Sequence, residues 1–184
     1  MASHTLTIFG EDYNTKWSYR FRATNIIRSE IKSFSEKENT FERWHEKVIK
    51  EIEKVYGIKL NHGQAQKWLN MTIKYIFVLK EILSTEDSRL KDIQGFLDNT
   101  DENDYYPPID SYVIKGAKVS SEKPWSKMTS DDYNKIITSL GEGKNFIWEM
   151  ESWGEFAKKY KEYTKDSYEA YISNKRNREG QVKE

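Results

Sequence analysis

"NHGQAQKWLNMTIKYIFVLKEIL", residues 61–83, is the most apolar helical stretch of this 184-residue chain. Apolar side chains from Ala65 to Leu83 cover nearly every direction around a helix, a pattern typical of a helix buried on most sides. Charged and amide residues interrupt the stretch before it reaches about 18 consecutive apolar residues, which excludes a membrane span. We therefore expect a central, buried helix around which the rest of the protein packs.

A row of polar side chains breaks the apolar surface of this helix. Lys67, Asn70 and Lys74 follow one another at helical spacing and project from one stripe, with Gln66 beside it. The stripe either faces water or lines a pocket. A lysine removed from water needs a partner or a lowered pKa, and an uncharged lysine is an amine nucleophile. The row is thus a solvated strip, an anion site or a reactive amine.

The composition narrows the kinds of partner and chemistry. Thirty basic and thirty acidic residues cancel, so a site for nucleic acid has to be a local patch. The chain contains no cysteine, which excludes disulfides and thiolate chemistry. Its three histidines are scattered, and we predict no metal and no cofactor. The N-terminal residues lack a basic region followed by an apolar run, so we expect no signal peptide, no membrane contact and a cytoplasmic location.

Apolar residues recur mainly at three- and four-residue steps, and only 3 Pro and 9 Gly occur. This pattern predicts an all-α, single compact helical domain over residues 16–174, with an N-terminal flank (1–15) and a frayed polar tail (175–184). We expect a first helix over 16–35, with these residues inward: Trp17, Phe21, Ile27, Ile31 and Phe34. The second helix should begin at an Asn39 cap and end at Gly57, and a weaker helix should start at Thr85 or Ser88. Three more helices should follow: a short one from Asp110 to Gly116, one from a Thr129 cap to Leu140, and a last one from Asn145 onward.

Two short motifs resemble the helix-hairpin-helix DNA glycosylases of the oxoguanine and archaeal type. They are Gly63-Gln64-Ala65-Gln66-Lys67 and Pro108-Ile109-Asp110-Ser111-Tyr112-Val113. In that family a glycine shortly precedes a lysine on a buried helix, and a later Pro-aliphatic-Asp segment begins another helix. The resemblance implies that Lys67 attacks the sugar C1′, that Asp110 assists base loss, and that the substrate is a DNA base flipped out of its duplex.

The physical chemistry of base loss is compatible with this assignment. Breaking an N-glycosidic bond develops positive charge on the sugar, which a fixed carboxylate stabilises. Asp110 is suited to that task because the dipole of the helix that it begins favours the carboxylate anion. The candidate residues for holding the ligand are Gln66, Asn70, Lys74, Arg22, Gly63 and Trp153.

Two other interpretations use the same residues. In the first, the chain is a non-catalytic bacterial or phage accessory protein, whose pocket of Lys67, Asn70, Lys74 and Arg22 holds a phosphate-bearing ligand or the acidic surface of a protein partner. The segment 148–153 then closes the pocket, with Glu149 or Glu151 pairing with a lysine. In the second, the lysines only hydrogen-bond helix termini and have a structural role.

Overall fold

The computed structural model describes residues 13–34, 40–83, 87–88 and 90–180, and all side chains within these ranges except those of 13–16, 163–164 and 166–180. The structure is 74% helical and contains no strand among the described residues, which confirms the all-α class. The α-helices are, in order, α1 (Tyr13–Lys32), α2 (Phe41–Tyr56), α3 (His62–Ile82), α4 (Gln94–Asp98), α5 (Ser111–Gly116), α6 (Ser130–Leu140) and α7 (Phe146–Gly180).

The ends of several helices follow local signals in the sequence. Thr40 caps α2 by accepting the N–H of Arg43, and Gly57 ends this helix with a φ of 58° that suits glycine. Thr129 and Asp132 form a reciprocal capping box at the start of α6. The predicted ends at Gly57 and Thr129 are thereby confirmed. Asn39, expected to cap α2, lies outside the described residues.

Two apolar clusters pack on different sides of α3. The first joins α1, α2 and α4 to Ala65, Leu69 and Ile73 of α3. The second is made of Ile109, Val113, Ile114, Met128, Tyr133, Ile136 and Phe156, and so joins α5 and α6 to α7. The polar row of α3 lies where α3 meets the second cluster, and this junction contains the candidate site.

The burial of α3 differs between its two halves. Residues from His62 to Ile73 include all the buried positions of the helix. Farther along, Leu79 is 44% exposed and Ile82 is 72% exposed. The expectation of a helix buried on most sides is therefore wrong for the second half, because periodicity shows which residues are apolar and not how far the neighbouring helices extend.

On α1 two of the five residues that were expected inward are exposed. Trp17 and Phe21 were expected inward, yet both side chains are 59% exposed. Ile27, Ile31 and Phe34, which were also expected inward, are buried together with Ala23, so the prediction fails only in the first half of the helix.

Two further boundaries differ from expectation. The weak helix predicted from Thr85 or Ser88 is the short α4, which begins only at Gln94; Thr85 is outside the described residues. The backbone of α7 stays helical to Gly180, past the boundary expected at 174. None of the helices formed by the described residues combines the length and apolarity that crossing a bilayer demands.

Candidate functional site

The structure brings Lys67 and Asp110 into direct contact. Asp110 is the N-cap of α5, and its Oδ1 accepts the N–H groups of Tyr112 at 2.8 Å and Val113 at 3.1 Å. Its other oxygen, Oδ2, accepts Lys67 Nζ at 2.8 Å. The side chain of Asp110 is 7% exposed and that of Lys67 is 20% exposed. The backbone N–H groups at the start of α5 therefore fix the Asp110 carboxylate, and solvent reaches the pair through the partly exposed Lys67.

An aromatic ring completes the surroundings of the Lys67 ammonium. Lys67 Nζ lies 4.7 Å from the centroid of the Trp125 ring, within the range of a cation–π contact. Trp125 comes close to α3 because Gly63 has no side chain: a Cβ on Gly63 would lie 1.7 Å from the Trp125 carbonyl oxygen. The Gly63 N–H donates to the carbonyl of Met128 at 3.2 Å. Gly63, a candidate for ligand binding, thus packs the turn that carries Trp125, and its N–H is already bonded within the protein.

Two buried amides hold the segment that precedes Asp110. Gln66 Nε2 donates to the carbonyl of Ile109 at 2.8 Å, and Gln66 Oε1 accepts the N–H of Ile109 at 3.2 Å. Asn70 Nδ2 donates to the carbonyl of Pro107 at 3.1 Å. Gln66 and Asn70 were candidates for ligand binding, but both side chains are buried. Their amide groups form hydrogen bonds with backbone atoms of the protein itself. They position Asp110 opposite Lys67.

A second lysine–carboxylate pair lies farther along α3. Lys74 Nζ lies 2.5 Å from Glu149 Oε2, which confirms that one of the two predicted glutamates pairs with a lysine. Glu149 is only 1% exposed, and burial raises the pKa of its carboxyl group while Lys74 opposes the rise. Lys74 Nζ also lies 5.8 Å from the ring of Trp153, whose own ring is 4.9 Å from that of Tyr112. Trp153 is thus beside the site, as an aromatic side chain that is 39% exposed.

The anion pocket expected from four residues is not assembled. Lys67 and Lys74 each face a carboxylate, and the Asn70 amide nitrogen lies within hydrogen-bonding distance of three protein acceptors. Arg22 is exposed on α1, a helix that packs mainly against α2 rather than against α3. A bound phosphate would find both ammonium groups already neutralised.

Two residues that the sequence pattern did not single out contact the Asn70 amide. His45 Nε2 is 2.6 Å from Asn70 Oδ1, and Tyr133 Oη accepts Asn70 Nδ2 at 3.2 Å. Burial lowers the pKa of His45 from 6.5 to about 4. A signal was present in the sequence, since His45 follows Trp44 on the apolar side of α2, where a histidine needs a hydrogen-bonded partner.

The described residues contain no group of three His, Asp or Glu side chains arranged to hold a metal ion. Comparisons with protein-family models, with curated proteins and with solved structures found no match to this chain. The groups that the site offers for chemistry are an amine and a carboxylate in contact, a flanking indole ring and a second, deeper ion pair.

Proposed function

We propose that this protein is a DNA glycosylase-like enzyme in which Lys67 is the nucleophile and Asp110 stabilises the positive charge of the transition state. The observation that carries the proposal is the contact of 2.8 Å between Lys67 Nζ and Asp110 Oδ2, in a pair whose lysine is 20% exposed. An amine and a carboxylate that must act on the same sugar carbon need this proximity and an approach from solvent.

Each group has a defined part in the reaction. As the N-glycosidic bond breaks, the base leaves with the bonding electron pair, and positive charge develops at C1′ within reach of the Asp110 carboxylate. The Lys67 ammonium gives up a proton, for which the departing base is the acceptor, and the resulting amine bonds to C1′. The C1′–O4′ bond then breaks: its electron pair stays on O4′, which takes a proton from the attached nitrogen, and Lys67 remains joined to C1′ as an iminium.

The energetics of buried ion pairs favour a functional role over a purely structural one. Well-packed apolar side chains stabilise a protein as well as a buried ion pair does, or better. Stability alone therefore does not require an ammonium and a carboxylate at this junction. The neighbouring rings of Trp125 and Trp153, the latter 39% exposed, offer surfaces on which an extruded base can stack.

Borohydride reduction tests the proposal, because it converts a lysine iminium into a stable covalent adduct. The protein is incubated with a duplex carrying an abasic site and then reduced. We expect an adduct with the unmodified protein and none with Lys67→Arg, which preserves the charge opposite Asp110 but cannot form the imine. Lys127→Ala is the matched control, because Lys127 is an exposed lysine on the turn that carries Trp125, and its adduct should equal that of the unmodified protein.

A second measurement addresses base excision itself. Duplexes that contain uracil, oxoguanine or an alkylated purine are assayed for release of the free base. Release that is lost in both Lys67→Arg and Asp110→Asn supports the assignment. An adduct that persists in Lys67→Arg, or the absence of both adduct and free base with the unmodified protein, rules the proposal out.

A further inference from the structure

A cavity lies beside His45 and Tyr133, the two residues whose side chains contact the Asn70 amide. Its volume is about 290 Å³, and its wall includes His45, His62, Tyr106 and Tyr133. Neither Lys67, Asp110, Lys74 nor Glu149 lines it. The cavity is therefore separate from the site of the proposed reaction, and a role for it does not depend on the glycosylase proposal.

The hydrogen bonds of Asn70 fix which nitrogen of His45 carries the hydrogen. Asn70 Nδ2 donates to the carbonyl of Pro107, which is an acceptor only, so the amide orientation is determined. Its Oδ1 therefore faces His45 and must accept a hydrogen from His45 Nε2. Burial lowers the pKa of His45 to about 4, so the ring is neutral at pH 7. Nδ1 is consequently a lone-pair acceptor on a side chain that is 3% exposed and lines the cavity.

The remaining lining residues are also rich in acceptors and in rings. Glu42 and Glu46 stand at the cavity, and Glu46 also bonds Lys50 at 2.7 Å. The lining contains no lysine or arginine. The rings of His45 and Tyr106 meet edge to face at 4.8 Å, and those of His62 and Tyr133 lie 5.4 Å apart. Such a lining disfavours phosphates and carboxylates and suits a planar ligand that donates hydrogen bonds.

We propose that this cavity binds a single planar ring with an amidine-type N–H edge, such as the edge that adenine, cytosine and benzamidine present. The N–H donors of the ligand face His45 Nδ1 and the carboxylates of Glu42 and Glu46, and the aromatic side chains enclose the ring. A volume of about 290 Å³ accommodates one heterocycle and not a nucleoside with its phosphates.

Benzamidine and benzoate form a matched pair for the test, because they share a ring and differ in the charge and hydrogen-bonding polarity of one group. Isothermal titration with the intact protein should show saturable binding of benzamidine and none of benzoate. Adenine should compete with benzamidine, and purine, which lacks the amino group, should compete more weakly.

Three variants locate the binding. Thr138→Trp places a large ring in the cavity from an exposed lining position and should weaken benzamidine binding by at least about tenfold. Ser139→Trp is the control, since Ser139 is exposed on the same helix but does not line the cavity.

His45→Phe removes the acceptor and should weaken binding by about tenfold as well. Because His45→Phe also takes a partner from Asn70, Thr138→Trp decides the question if that variant does not fold. Absence of saturable benzamidine binding, equal binding of benzoate, or unchanged binding in Thr138→Trp overturns the proposal.

Discussion

Two lysines seven residues apart on α3 each meet a carboxylate, and the two pairs are built differently. Asp110 takes two backbone N–H groups on one oxygen and Lys67 on the other. Glu149 is 1% exposed, and among the described residues only Lys74 donates a side-chain hydrogen bond to its carboxylate. Asp110 therefore keeps support if its lysine leaves to react, whereas Glu149 does not. This difference supports the proposal that Lys67, and not Lys74, is the residue that reacts.

The largest effect should follow removal of the lysine from the deeper pair. Lys74→Met leaves the Glu149 carboxylate buried without its partner, and we expect the free energy of unfolding to fall by about 3–5 kcal/mol at neutral pH. Urea denaturation measures the loss. The double variant Lys74→Met/Glu149→Leu should recover most of it, because no unpaired charge is then buried. Lys67→Met should cost only about 1 kcal/mol, because Asp110 retains its backbone donors; equal losses in the two single variants would contradict the distinction.

The pH dependence of stability should be the next largest effect. Burial raises the pKa of Glu149 above its ordinary value of 4.5 in the folded protein, so the folded state binds this proton more tightly than the unfolded state does. The contribution of protonated Glu149 to the free energy of unfolding is complete below the pKa of the unfolded state. It is lost as the pH rises through the pKa of the folded state. Lys74→Met removes the ammonium group that opposes this rise, so the pKa of Glu149 should rise further. Each further pKa unit changes the pH-dependent part of the free energy of unfolding by about 1.4 kcal/mol.

Urea denaturation between about pH 4 and pH 8 checks this sign. The loss on raising the pH should be greater in Lys74→Met than in the unmodified protein. Lys74→Met/Glu149→Gln is the control, because it has no titrating group at position 149. It should not show the extra loss of stability at high pH that is expected for Lys74→Met. A difference between Lys74→Met and the unmodified protein that does not change with pH would show that Glu149 is not the group responsible.

The helix ends were predictable because their signals are local. Gly57, Thr129 and Asp110 each act on backbone groups within three or four residues, so the sequence around them is sufficient. The exposed faces of α1 and α3 were not predictable in the same way. Trp17 and Ile82 are apolar residues on helices whose neighbours do not cover them, and coverage is a property of the packed molecule.

The candidate site was predictable only in part, for the same reason. The separation of 43 residues between Lys67 and Asp110 carries no local signal, and the family resemblance alone suggested that the two act together. The sequence showed Gln66 and Asn70 as polar positions on an apolar helix, but their acceptors are backbone atoms of the Pro107–Ile109 segment. Such partners are known only once the chain is folded, which is why the two amides were taken for ligand contacts.

A smaller effect on stability should separate the capping role of Asp110 from its proposed role in base release. Asp110→Asn keeps a side-chain oxygen for the N–H groups of Tyr112 and Val113, and Asn caps helices about as well as Asp. We expect the free energy of unfolding to change by no more than about 1 kcal/mol. Under the proposed mechanism, base release should nevertheless fall by at least about 100-fold, because the carboxylate charge that would stabilise the positive C1′ is gone. Thr129→Ala is the matched control: it removes the cap of α6 and should lower stability without lowering base release. Retained base release in Asp110→Asn would leave Asp110 with a capping role alone.

The smallest effect should come from the aromatic neighbours of the two lysines. Trp125→Leu keeps an apolar side chain beside Lys67 but removes the ring that lies 4.7 Å from its Nζ. A double-mutant cycle with Lys67→Met should give a coupling of about 0.5–1 kcal/mol, the usual range for a partly exposed cation–π contact. The corresponding cycle for Lys74 and Trp153, which are 5.8 Å apart, should give a smaller coupling because the attraction weakens with distance. A larger coupling at Lys74 would mean that the indole of Trp153, and not that of Trp125, is the ring that holds an ammonium at this junction.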